Sequence, residues 1–334
     1  MLLAACVPTV QRAERIPLNF DGPRFDAAQH RFYSFDGAPL GLSAWTPANG
    51  KEPWAVIVGL HGMNDYGDGT FYLAGPWFAD HGVALYAYDA RGQGRSPQRG
   101  VWAGERLMEE DLRTAVRVAR RMYPHAVIAV VGESMGAAEA MATFGGGDAP
   151  PVDRIVLVAP AVWGWSTMPP AYAFTLWTSA HLFPWKDVVP PRGVVRHIQP
   201  SDNVEMLQRI GRDQNMIFTT RIDAVYGLVN LMEDASRHSG GLTGDVAFLY
   251  GAHDQIVPRA SAVASARRLP STARTALYPD GYHMMLRDLH REVVYEDILS
   301  FLHDPGAPFP SGAPPLIAPA SSTSNSSKSL TASR

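Results

Sequence analysis

A series of short apolar runs, each closed by glycine, proline or a polar turn, narrows the folds open to this sequence more than any other pattern in it. WAVIVGLHG (Trp54 to Gly62), VALYAYDARGQG from Val83, VIAVVGES ending at Ser134, IVLVAPA (Ile155 to Ala161), DVAFLYGAHD (Asp245 to Asp254) and TALYPDGYH (Thr275 to His283) share this design. Runs of this length without polar alternation predict strands buried on both faces, as in a parallel sheet. Helical patterns lie between them. Glu105 to Tyr123 carries Leu107, Leu112, Val116 and Ala119 at helical spacing, with acids early and arginines late, in line with the helix dipole. Alternating strands and helices imply right-handed crossovers and a mostly parallel, doubly wound α/β sheet.

Two shorter patterns, RFYSF and GLSAW (Arg31 to Trp45), read as strands joined by a DG turn. The rhythm breaks between about Val162 and Thr243, where proline pairs and tryptophans accompany helical stretches such as FTLWTSAHLF and AVYGLVNLMEDA. This segment is read as a helical lid inserted between late strands. The resulting organisation is an N-terminal arm over 1–28, a core formed by 29–161 and 244–303, a lid over 162–243, and a tail over 304–334. A closing helix, VVYEDILSFL, ends near Leu302. The tail is dominated by Pro, Gly, Ala and Ser, a composition that predicts disorder.

A net charge of -3 and the lack of a Lys/Arg run argue against a nucleic-acid partner. No apolar run is long enough to cross a bilayer as a helix. Cys6 is the only cysteine, which excludes a disulfide framework and a cysteine-based metal site. No cluster at zinc spacing such as H-E-x-x-H occurs, so no metal is expected. YDARGQGRS places Pro97 where a dinucleotide fingerprint needs its third glycine, and no phosphate loop of the G-x-x-x-x-G-K type exists. That stretch is read as a structural turn, and no cofactor is implied.

The chemistry centres on GESMG. Ser134 follows a strand pattern and precedes the helical AAEAMATF, the strand–turn–helix layout of a nucleophile elbow. The turn sets the serine at a helix N-terminus, where N–H groups favour negative charge. A serine hydroxyl needs a base, and the base an orienting acid. Downstream, Asp254 follows AFLYG and His283 follows TALYP, each beyond the carboxyl end of a strand pattern, in the order Ser, Asp, His. His253 breaks that order, Asp280 reads as a turn residue, and Asp288 would have to reach back from the final helix. The expected oxyanion donors are the backbone N–H groups of Met135, just after the serine, and of Met63 in the loop LHGMNDYG.

HGMNDYG, YDARGQGRS, GESMG, GAHDQIVP and GYHMML together resemble the α/β-hydrolase superfamily, and within it the monoacylglycerol lipase and lysophospholipase group, also labelled serine aminopeptidase-like hydrolases. The likeness runs from about Arg31 to Leu302. It departs from the family pattern at Asn64, Asp65 and Tyr66, and at Gln93, where the family has the His of RGHG. The resemblance implies cleavage of monoglycerides, lysophospholipids or small esters. Under that reading Met168, Tyr172, Phe174, Trp177, Phe183 and Trp185 of the lid are expected to form an apolar mouth for an acyl chain, with packing of the lid onto the body as the alternative. An acyltransferase, a small-ester carboxylesterase and a non-catalytic lipid-binding protein remain open beside the lipase reading.

MLLAAC resembles the lipobox of bacterial lipoproteins, in which a cysteine is lipidated; here that is Cys6. A basic n-region and a long apolar stretch do not precede it. Two expectations therefore stand: a lipid-anchored protein of the bacterial cell envelope, with peripheral membrane association through the lid, or a cytoplasmic one.

Overall fold

The chain enters its sheet through three antiparallel strands, β1 (Arg24–Asp26), β2 (Arg31–Tyr33) and β3 (Pro39–Trp45). The computed structural model describes residues 7–188 and 198–317. The apolar runs then supply β4 (Ala55–Leu60), β5 (Val83–Tyr88), β6 (Val127–Glu133) and β7 (Arg154–Val158). A two-stranded ribbon, β8 (Asp187–Val188) with β9 (Thr220–Arg221), follows within the insertion. The series closes with β10 (Asp245–Gly251) and β11 (Arg274–Tyr278). The main sheet has the order β1-β2-β3-β5-β4-β6-β7-β10-β11 and is parallel from β5 to β11.

Unbroken apolarity in these strands has a direct cause: both faces are covered. Val56 and Val58 join one core with Leu112, Val116 and Met141, whereas Ala55 and Ile57 join the other with Phe71, Phe78 and Ile298. The first core is roofed by α3 (Glu105–Met122) and α4 (Met135–Gly145). The second is closed by α1 (Gly67–Phe71), α2 (Ala74–Asp80) and, much later, α9 (Arg291–His303). A fully buried side chain such as Phe248 or Leu249 contributes roughly 1.5–3 kcal/mol relative to exposure.

Between β7 and β10 the chain forms α5 (Pro170–Leu182), α6 (Val204–Ile210) and α7 (Ile222–His238), and α7 packs on α4. The short α8 (Arg259–Ala266) follows β10. Reversal of the winding around β4 opens a crevice at the carboxyl ends of the parallel strands, where ligands of such sheets bind.

Two boundaries differ from expectation. The sheet begins at Arg24, inside the predicted arm, because β1 pairs with β2. The predicted disordered tail is ordered over 304–317. The Leu277 N–H donates to the Pro314 carbonyl at 2.8 Å, and the Leu316 N–H to Thr275 Oγ1 at 3.1 Å. Phe309 and Leu316 are buried, and Ser311 bonds to Asp297. A few apolar anchors and the open edge of β11 order this segment in spite of its composition. Cys6 and residues 318–334 lie outside the described residues. Among the described residues no helix is long and apolar enough to cross a membrane, and no cluster of His, Cys, Asp and Glu suits a metal ion.

Candidate active site

Ser134 caps β6 with φ 57° and ψ −114°, a conformation L-residues seldom adopt. Two glycines make the sharp turn sterically feasible. A Cβ on Gly132 would stand 2.5 Å from the Ala137 nitrogen, and one on Gly136 would stand 2.5 Å from the Leu60 carbonyl oxygen. The turn is pinned by the Ser134 N–H, which donates to the Val158 carbonyl at 2.9 Å.

Three chain segments then meet at one point. Ser134 Oγ lies 3.0 Å from His283 Nε2, and His283 Nδ1 lies 2.8 Å from Asp254 Oδ2. The Asp254 side chain is fully buried, and its other oxygen accepts the N–H groups of Ile256 (2.8 Å) and Val257 (3.0 Å). A carboxylate held in this way can only accept, so His283 carries its proton on Nδ1 and offers Nε2 to the serine hydroxyl. The neighbouring candidates face elsewhere. His253 stacks on Tyr282 at 5.1 Å, and Asp280 is exposed. Asp288 accepts from Ser201 Oγ (2.6 Å) and the Tyr282 N–H (2.8 Å), bracing the loop that carries His283; burial pushes its carboxyl up to about 6.

Met63 and Met135 adjoin this chain of groups. Met135 is the first residue of α4, so its N–H has no intrahelical acceptor. The Met63 N–H belongs to the same peptide plane as the Gly62 carbonyl. That carbonyl accepts from the Asp65 N–H at 3.2 Å and from His61 Nδ1 at 2.8 Å, while His61 Nε2 accepts from the Ala90 N–H. Pinning the carbonyl of a trans peptide sets the direction of its N–H.

Beneath the site lies an ion network that the sequence did not announce. Arg287, almost wholly buried, donates to Asp65 Oδ2 and Glu133 Oε2, both at 2.6 Å. It ties the loop after β4, the elbow and the His283 loop together. Deleting one member would strand the others, at roughly 3–5 kcal/mol.

These groups open onto a cavity of about 390 Å³. Its floor carries Gly62, Met63, Ser134 and His283, with Asp65, Glu133 and Arg287 beside them. The walls are apolar: Trp163, Met168 and Leu176 on one side, Val225, Leu228, Val229 and Met232 of α7 on another, then Met216, Val257 and Met284. Of the six lid residues expected to form the mouth, Met168 alone lines this cavity. Tyr172, Phe174, Trp177, Phe183 and Trp185 are instead between 44% and 71% exposed, on the outside of the inserted segment. The expectation failed because PAYAFTLWTSAHL is apolar on every side, so its periodicity does not mark an inner face. The missed residues of α7 did carry a signal: 225, 228, 229 and 232 follow i, i+3, i+4, i+7.

The family model described as "Serine aminopeptidase, S33" matches residues 51–290. A monoacylglycerol lipase of Mycolicibacterium smegmatis is 25% identical over 291 residues, covering 82% of this chain and 96% of its own. Among solved structures, a soluble variant of the monoglyceride lipase of Saccharomyces cerevisiae superposes with a TM-score of 0.69 at 17% identity, over 87% of this chain and 98% of that one. A thermostable carboxyl esterase of Bacillus coagulans, solved with glycerol, gives 0.66 at 21% identity, over 82% and 96%. The structural likenesses establish an α/β-hydrolase fold.

Proposed function

The chain belongs to the serine aminopeptidase S33 family of α/β-hydrolases, and from that premise we propose that it is a carboxylic ester hydrolase acting on monoacyl lipids, monoacylglycerols or lysophospholipids. One observation carries the reading: the hydrogen-bonded series Ser134, His283, Asp254 opens onto an apolar cavity. Ser134 Oγ attacks the ester carbonyl while its proton passes to His283 Nε2. Asp254 holds the ring in the useful tautomer and stabilises the imidazolium. The N–H groups of Met63 and Met135 receive the oxyanion, a contribution of roughly 3–4 kcal/mol per donor where it has been measured in such sites. Collapse of the tetrahedral intermediate breaks the ester C–O bond, and the leaving alcohol takes the proton from His283. Water, deprotonated by the same histidine, then releases the acid from the acyl-enzyme.

The apolar walls favour an acyl chain as the group held in the cavity. The exposed aromatic face of the lid, with Trp177 and Trp185, supports a working position at a lipid interface. An acyl anchor on Cys6 would add a second attachment and place the enzyme in a bacterial cell envelope.

The test is hydrolysis of p-nitrophenyl esters from acetate to palmitate, with and without Ser134→Ala. A serine-dependent optimum at medium or long chains is expected. A serine-dependent preference for acetate would replace the lipase reading with that of a small-ester hydrolase. Product analysis with an added alcohol separates hydrolysis from acyl transfer.

A further inference from the structure

Gln93 lies on the turn after β5, where the resembled family carries histidine, and its side chain is almost wholly buried. Its backbone is locked into the turn. The Gln93 N–H donates to the Ala90 carbonyl and the Ser96 N–H to the Gln93 carbonyl, both at 3.0 Å, while Asp89 accepts the Arg95 N–H at 2.8 Å. From this fixed base the carboxamide reaches across to the site. Oε1 accepts the Asn64 N–H at 2.7 Å; Nε2 lies 3.7 Å from Met63 Sδ and 3.5 Å from Met135 Sδ. One side chain therefore touches both residues whose backbone N–H groups adjoin Ser134.

Asn64 explains why that contact matters. Its φ is +66°, in the left-handed region, so the loop is not at its resting preference there. The Asn64 carbonyl is held by the Ile217 N–H at 3.0 Å and its side chain by Thr220 at 2.6 Å, both from the lid. Gln93 supplies the acceptor on the amide side. Without it the Asn64 N–H has no acceptor among the described residues, and the peptide joining Met63 to Asn64, next to the one that carries the Met63 N–H, loses its hold on that side. Amide contacts to the two sulfurs are weak individually, but they set both methionine side chains against one group.

We propose that Gln93 is a positioning residue that holds the two oxyanion donors, Met63 and Met135, in their common geometry. The inference rests on the reading of Ser134 as nucleophile and of those two amides as donors. It separates a contribution to the transition state from a contribution to substrate binding, because Gln93 is not among the residues that line the cavity.

Gln93→Leu keeps most of the bulk and removes all three polar contacts. The expected result is a kcat about 10-fold lower, a KM within about 2-fold of wild type, and a Ki for a long-chain trifluoromethyl ketone weakened by about the same 10-fold, since its hemiketal oxyanion occupies the same place. Gln93→His restores an acceptor when the ring is neutral and loses it when protonated, near pH 6.5 for an ordinary imidazole. Its kcat relative to wild type should fall as pH drops from 8 to 6. That ratio tests the role even if Gln93→Leu does not fold. Unchanged kcat and Ki in Gln93→Leu, a change in KM alone, or a pH-independent ratio for Gln93→His would overturn the proposal. Ser134→Ala is run beside them. Activity surviving in Ser134→Ala would sink the underlying site reading, whereas an inactive Ser134→Ala with a normal Gln93→Leu would sink only the positioning role.

Discussion

Replacing Asp254 by asparagine should be far more damaging than its size suggests. In the native chain one carboxylate oxygen accepts the N–H groups of Ile256 and Val257, and the other faces His283 Nδ1 at 2.8 Å. In Asp254→Asn only the amide oxygen can accept those two N–H groups, so the NH2 turns to His283. That group can only donate. Nδ1 must then accept, and the ring proton moves to Nε2, 3.0 Å from Ser134 Oγ. A nitrogen already protonated there does not take the serine proton. Flipping the amide would restore the tautomer but oppose an NH2 to two N–H donors, at about 1–3 kcal/mol for each one left unpaired. Loss of the carboxylate charge beside the imidazolium adds to this. The expected loss in kcat is about 10³–10⁴-fold, in the range seen when an equivalent triad is altered in this way. Steady-state p-nitrophenyl ester hydrolysis reads it, with thermal unfolding as the check on folding. A folded Asp254→Asn retaining more than about a tenth of wild-type kcat would refute the tautomer argument.

Two further outcomes follow from the buried core and the cavity. Glu139 on α4 is wholly buried, accepts the Tyr88 hydroxyl at 2.7 Å, and has its carboxyl raised by burial from 4.5 to about 8. The folded state thus holds a proton that the unfolded state releases near pH 4.5, so this group lowers stability as pH rises from about 4.5 to 8, by a total on the order of 5 kcal/mol. Glu139→Gln keeps an acceptor for Tyr88 and removes the titration; its Tm should gain on wild type between pH 6 and 9 and converge with it below pH 5, and parallel Tm curves would contradict this. Leu228 lines the cavity from α7. Leu228→Trp should cut kcat/KM for p-nitrophenyl laurate at least 10-fold while leaving acetate within about 2-fold, and an equal effect on both esters would mean that the acyl chain lies elsewhere.

Much of the scaffold was legible because doubly covered strands leave an unmistakable trace. Val56 and Ile57 both had to be apolar, since neighbouring residues of β4 face different cores. Ser134, Asp254 and His283 could be selected because each follows such a strand, which brings distant segments to one end of the sheet. What was hidden depends on contacts through space. Nothing near Arg287 in sequence discloses that Asp65 and Glu133 converge on it, and Gln93 looks like any turn residue until the turn is folded against Met63 and Met135. The segment inserted between β7 and β10 divided along the same line. The stripe on α7 was written at helical spacing, whereas α5 is apolar all round and gave no direction. Phe309 and Leu316 were too sparse to mark a segment that is ordered by the edge of β11.

Every step of the proposed reaction depends on Ser134 as the nucleophile. Its most direct test is intact-mass analysis after reaction with a fluorophosphonate, comparing wild type with Ser134→Ala and mapping the adduct by peptide digestion. One adduct per wild-type chain is expected, located on the GESMG peptide, and none on the variant. Labelling of Ser134→Ala at the wild-type rate, or an adduct on another serine, would contradict it.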